Sequence, residues 1–115
     1  MILGVLQDKD WRHICEALAP QAARIAPVPV SSERTADAQE LAAACGAANP
    51  AAAISARASL AEALEQSAGA PFVVVTGSLY LVGEALELIG LSPAGGSERG
   101  LNEWTAPVQP ASSRR

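Results

Sequence analysis

The sequence predicts an α/β domain with a mostly parallel sheet of about four strands lying between helices. Short apolar, β-branched runs alternate with stretches whose apolar residues recur every three or four positions. The runs are continuously apolar rather than alternating, as in strands covered on both faces. Short links then require each helix to cross back over the sheet, giving a Rossmann-like three-layer α/β/α sandwich.

Length and charge bound the rest. At 115 residues the chain is one domain, with room for a single core. Half of it is apolar, much of that alanine, so the core must lean on Val, Ile, Leu and the two Trp. A net charge of −4 argues against nucleic acid or an anionic membrane as partner. No run approaches the ~20 apolar residues of a membrane span, and no signal-peptide pattern opens the chain. Cys15 and Cys45 form no CxxC motif, so they read as two reduced, buried thiols of a cytoplasmic protein.

Ile2-Leu3-Gly4-Val5-Leu6 is the first strand, with only Met1 before it. A chain that opens inside a core strand predicts a domain cut from something longer. After Gln7-Asp8-Lys9-Asp10, the residues Trp11, Ile14, Cys15 and Leu18 form one helix face, with Asp8 or Asp10 as N-cap. Arg12, His13 and Glu16 fall on the wet face, and Pro20 ends or kinks the helix near Ala19. If buried, Trp11 should contribute about 3–5 kcal/mol of packing.

Arg24 to Val30 is the second strand, its prolines limiting good pairing to the first half. Ser31 to Ala36 is a loop. Asp37 with Glu40 gives a capping-box-like start to the second helix, which Leu41, Ala42 and Cys45 pack and Gly46 stops. Ala51 to Ala56 is a weak third strand; Ser59 with Glu62 caps a third helix, which Gly69 closes. Last comes Pro71-Phe72-Val73-Val74-Val75-Thr76-Gly77-Ser78, a buried strand that turns straight into a helix. The inner face of that helix is expected from Leu79, Val82, Leu86 and Ile89, with its end at Gly90 and Gly83 permitting close approach to the sheet. The domain therefore spans residues 1–90, and residues 91–115 form a polar, flexible tail in which, after Leu91, Leu101 and Trp104 are the largest apolar groups.

Ligands of open α/β sheets sit at the carboxyl ends of the strands. Two loops matter there: Gln7 to Asp10 and Thr76-Gly77-Ser78. Lys9 offers a positive charge, and Ser78 a hydroxyl beside free N–H groups at a helix start; together they suit the carboxylates of a small acidic ligand. The plainer alternative is a solvated Lys9 and a Ser78 that only caps its helix. Tyr80 either lines this corner or packs on the sheet. Glu84 and Glu87 read as solvated, and His13, the single histidine, as a surface residue. No GxxxxGK[ST] or GxGxxG occurs, and no His/Cys/Asp spacing fits a metal.

Two segments, Ile2 to Asp10 and Val73-Val74-Val75-Thr76-Gly77-Ser78-Leu79-Tyr80-Leu81-Val82-Gly83-Glu84, resemble the C-terminal domain of folylpolyglutamate synthase/dihydrofolate synthase. That family is part of the Mur ligase superfamily. The resemblance covers Ile2 to about Gly90 and implies a parent ligase in which ATP phosphorylates a carboxylate of dihydropteroate or of a folate glutamyl tail. The amine of L-glutamate then attacks the acyl phosphate. It implies that this domain closes on a central ATPase domain, with Lys9 and Ser78 contacting the incoming amino acid and Asp8, Asp10, Gly77 and Tyr80 in support. It assigns no catalytic residue here. The family's P-loop, its carbamylated lysine at the Mg2+ site and its Asp-x-Ala-His-Asn-Pro strand have no counterpart in the sequence, which predicts an inactive piece with no ATP or Mg2+ of its own. The lacking strand also predicts an open sheet edge that favours self-association. Two other readings remain: a stand-alone Rossmann-like anion-binding or interaction module, and the C-terminal domain of another Mur-type ligase.

Overall fold

The computed structural model describes residues 1–91, so the expected tail, including Leu101 and Trp104, falls outside the described residues. By internal contacts the chain divides into two compact units, Met1–Ala85 and Leu86–Arg115.

In the first unit the expected alternation is present: β1 (Ile2–Leu3), α1 (Trp11–Leu18), β2 (Arg24–Pro27), α2 (Ala38–Ala48), β3 (Ala53–Ile54), α3 (Leu60–Gln66), β4 (Val75–Thr76) and the start of α4 (Leu79–Leu88). The strands form one sheet of order β3-β2-β1-β4, and every pairing is parallel. Ile2 lies opposite Ala26 on one side and Val75 on the other. Pairing in β2 stops at Pro27, as the missing proline donor dictates, although Val28 N–H still donates to the Leu3 carbonyl at 2.9 Å.

Side chains of successive strand residues point to opposite faces, and β1 shows this plainly. Ile2 and Leu6 join Val28, Val30, Leu60, Ala63, Leu81 and Ala85 on the face covered by α3 and α4. Leu3 and Val5 join Cys15, Ala19, Ile25, Leu41 and Cys45 on the face covered by α1 and α2. The three-layer sandwich follows.

Helix starts match their sequence signals. Asp10 caps α1 by accepting from His13 N–H, and Asp37 caps α2 by accepting from Gln39 N–H at 2.8 Å. Ser59 Oγ accepts from Glu62 N–H while Glu62 Oε1 takes the Ala58 N–H, a reciprocal arrangement close to a capping box. Around Pro20 the chain tightens into a 3-10 turn over Ala19–Gln21.

Helix ends and inner faces depart from expectation. Gly46 does not stop α2, which continues to Ala48. Asn49 terminates it instead, and its side-chain amide donates to the carbonyls of Ala19 and Ala22 at 2.9 and 3.1 Å. Those tertiary bonds outweigh the local preference of glycine. Helix α3 ends at Gln66 on a Ser67 cap, three residues before Gly69. The buried residues of α4 are Leu81 and Ala85, whereas Leu79 is 89% exposed and Val82 half-buried. Gly83 has open space around it, so it permits no close approach. That role belongs to Gly4, where an added Cβ would lie 3.0 Å from Val28 O and 3.1 Å from Leu81 Cδ2. Trp11 is half-buried with the Arg12 guanidinium 4.7 Å above its ring, so the full packing contribution expected of it does not apply.

The run before β4 is the main correction. Phe72, Val73 and Val74 are exposed rather than buried, because β4 has a paired neighbour on one side only among the described residues. In the second unit, Gly90 at φ +80° ends α4: its N–H reaches Glu87 O, and Leu91 N–H reaches Leu86 O at 2.9 Å. Both bonds together make a Schellman motif, so the expected stop at Gly90 holds.

Candidate functional site

Strand order explains why two distant loops meet. From β1 the chain moves outward through β2 and β3, then returns to the opposite flank of β1 as β4. Helix α1 therefore descends one face and α4 the other, leaving a crevice at the carboxyl ends of β1 and β4. A hollow of about 520 Å³ opens there. Lys9 and Asp10 line it from the first loop; Gly77, Ser78, Leu79 and Tyr80 line it from the second. Leu6, Ile14 and Arg34 complete the wall. A second hollow of about 380 Å³ shares Ile14, Gly77, Ser78 and Leu79 and continues toward Leu18 and Val82.

The floor is backbone. Gly77 has φ +109°, a left-handed conformation that disfavours other residues, and an added Cβ would sit 2.4 Å from Gly4 O. Glycine is thus required twice over at that corner. Ser78 Oγ accepts from Tyr80 N–H at 3.1 Å, which makes it the N-cap of α4. An oxygen that accepts there keeps its own hydrogen to donate, so capping and ligand binding are compatible in one hydroxyl. Tyr80 is 63% exposed on the rim, which decides against packing on the sheet.

Lys9 is exposed, and its ammonium has no hydrogen-bond or ion-pair partner among the described residues. Its backbone is fixed: Lys9 N–H donates to Leu6 O at 3.1 Å, and Trp11 N–H donates to Lys9 O at 2.8 Å. Neither flanking aspartate holds the Lys9 side chain. Asp8 Oδ2 accepts from Arg34 Nη1 at 2.7 Å, and Asp10 is occupied with the first turn of α1, where it also lies 3.7 Å from His13 Nδ1. His13 and Glu87 are exposed as expected. Glu84 is half-buried and accepts from Ser31 Oγ at 3.1 Å, joining α4 to the loop after β2.

Arg34 escaped the sequence reading. Its loop runs antiparallel beside the end of the first apolar run: Ala36 N–H donates to Val5 O, Leu6 bridges Thr35, and Gln7 N–H donates to Arg34 O at 2.6 Å. The only signal for this is local, a threonine and serine pair around an arginine; Thr35 Oγ1 accepts from Val30 N–H and Ser32 Oγ from Arg34 N–H, which fold the loop back.

The two cysteines lie away from the site. Both are buried and free, on the α1–α2 face. Burial, reinforced by the hydrogen bond and charge of Cys45, pushes the Cys15 thiol up to about 12. Among the described residues no cluster of three or more His, Cys, Asp or Glu is disposed for a metal, and no helix is long and apolar enough to cross a membrane.

No protein-family model matches the chain, and no curated protein does. Two solved structures of Mycobacterium tuberculosis folylpolyglutamate synthase are similar to it. The one complexed with ADP and AMPPCP superposes with a TM-score of 0.66 at 30% identity, covering 80% of this chain and 23% of that one. One complexed with ADP gives 0.62 at 28% identity over the same shares. The chain thus spans about a quarter of the length of the enzymes it matches, a share consistent with a C-terminal domain. The family resemblance carried by the two sequence segments is borne out.

Proposed function

We propose that the chain is the amino-acid-holding domain of a cytoplasmic, ATP-dependent ligase that joins L-glutamate to dihydropteroate or to a folate tail, with residues 1–90 as the working domain and residues 91–115 appended. The observation that carries this reading is the meeting of Lys9, unpartnered among the described residues, and the Ser78 cap at one hollow beside the start of α4. An ammonium, a hydroxyl with a hydrogen to give and the positive end of a helix all favour carboxylate. Lys9 takes one carboxylate of L-glutamate, and Ser78 with the adjoining N–H groups takes the other. Gly77 brings the backbone close, and Tyr80 shields the rim. Held in this way, the amine of the amino acid is presented to an acyl group bound elsewhere in the longer protein, and the gain is positional.

The residues present do not fit ATP or Mg2+. The chain has no phosphate-cradling glycine loop, and its described residues form no metal cluster. Nucleotide chemistry belongs to the remainder of the longer enzyme, and the 115 residues alone are inactive. In the longer enzyme, Lys9→Ala and Ser78→Ala each raise KM for L-glutamate about tenfold or more, with smaller changes in kcat. Unchanged KM in both variants would remove the reading.

The isolated chain also self-associates. The edge of β4, unpaired among the described residues, and the exposed Phe72, Val73 and Val74 form an apolar strand margin of the kind that pairs with a second copy. A single monomeric boundary in sedimentation at high protein concentration would contradict this.

A further inference from the structure

Lys9 sits between two carboxylates in sequence, Asp8 and Asp10, yet neither is bonded to it. Asp10 is engaged by the first turn of α1 and by His13. Asp8 is engaged by Arg34, whose Nη1 lies 2.7 Å from Oδ2. The main chain of Arg34 is itself anchored at both ends, its carbonyl accepting from Gln7 N–H at 2.6 Å and its N–H donating to the Ser32 side-chain Oγ at 3.1 Å. The guanidinium is therefore presented to Asp8 from a fixed base, and Arg34 lines the same hollow as Lys9.

We infer that Arg34 is a positioning residue that captures the Asp8 carboxylate and so keeps the Lys9 ammonium free for an incoming carboxylate ligand. This rests on the reading of Lys9 as a ligand contact.

The argument is one of competition. A flexible ammonium one residue from a free carboxylate, in a turn closed by the Lys9–Leu6 backbone bond, has an internal partner that any ligand must displace. Arg34 meets Asp8 through one short bond, Nη1 to Oδ2 at 2.7 Å, and a guanidinium, less strongly hydrated than an ammonium, is the better partner for an internal carboxylate. Pairing Asp8 with Arg34 sends the internal carboxylate to the internal guanidinium and leaves the ammonium for the ligand. The Asp8–Arg34 pair is about half exposed, so its replacement leaves the fold intact.

L-glutamate binding to the 115-residue chain, followed by amide shifts of Gly77 and Ser78 in an NMR titration, tests the idea in four variants. Arg34→Gln should weaken binding about two- to fivefold, the range of an exposed ion pair. Asp8→Asn should leave it unchanged or tighter. Asp8→Asn combined with Arg34→Gln should return it to within about twofold of the parent chain, because the competitor is gone. A double variant as weak as Arg34→Gln alone overturns the inference, since Arg34 would then touch the ligand itself. Loss with Asp8→Asn alone also overturns it, since the pair would then merely brace the loop. Lys9→Ala separates the layers: if it changes nothing, or the parent chain does not bind, the reading of Lys9 falls and the inference with it. If Lys9→Ala abolishes the shifts while Arg34→Gln leaves them intact, the inference alone falls.

Discussion

β1 and β4 are neighbours in the same sheet and share a register, yet their surroundings are opposite. In β1 and its extension, Ile2, Leu3, Val5 and Leu6 are all 5% exposed or less, because strands flank it and helices cover both its faces. The run leading into β4 is the more strongly β-branched of the two, yet Phe72 is 78% and Val74 46% exposed. An apolar run shows which surface favours cover; the neighbours that provide it depend on position in the sheet. At the carboxyl end the contrast reverses. There the two strands join through Gly4 and Gly77, and each contributes a loop to one hollow.

Substitutions along the two strands sharpen this contrast. The largest effect is expected at the junction: Gly77→Ala combines left-handed strain with a backbone clash and should destabilise by about 4 kcal/mol, or prevent folding. A urea midpoint close to the parent's would show that the corner relaxes. Leu3→Ala, within β1, should lose about 3 kcal/mol, and Val74→Ala beside β4 less than about 1 kcal/mol. Equal losses would mean that β4 is covered as β1 is.

An alkaline titration reports on the α1–α2 side of β1 alone. The buried Cys15 thiol titrates near 12 rather than at its ordinary value of 9.0. The unfolded chain therefore releases that proton first as pH rises. Stability from this group is whole below pH 9.0 and falls progressively toward about 12. Cys15 contributes at most about 1.4 kcal/mol per pH unit; burial raises the neighbouring Cys45 thiol too, so Cys15→Ala should reduce the slope and its combination with Cys45→Ala should flatten it. A slope that survives both substitutions would assign the titration to another group. The smallest stability effect is expected from Phe72→Ser, within about 0.5 kcal/mol, while light scattering should show reduced self-association. A stability loss above 1 kcal/mol would place Phe72 in a packed setting.

What the sequence made legible was local or periodic. The α/β alternation, the caps at Asp10, Asp37 and Ser59, the proline limit on β2 and the stop at Gly90 each depend on neighbours a few residues apart. What stayed hidden depends on distant chain. Asn49 overrides Gly46 because its amide reaches carbonyls 30 and 27 residues away. Leu81 rather than Leu79 faces the sheet because Gly4 makes room for it. The pairing of Lys9 with Ser78 as a candidate site was legible from the rule that ligands bind at strand ends, but their proximity needed the strand order. Arg34 was hidden for the same reason, since a loop after one strand had to fold back beside another.

The glycine junction has one more consequence. Because Gly77, which lines the hollow, is seated directly against the Gly4 backbone, its position does not depend on the polar side chains of the rim. Lys9, Arg34 and Tyr80 can then be exchanged as a set while the foundation stays in place, with Ser78 kept as the cap of α4. The corner is a socket for redesign, in which new ligand chemistry is written on the rim and the fold is left alone.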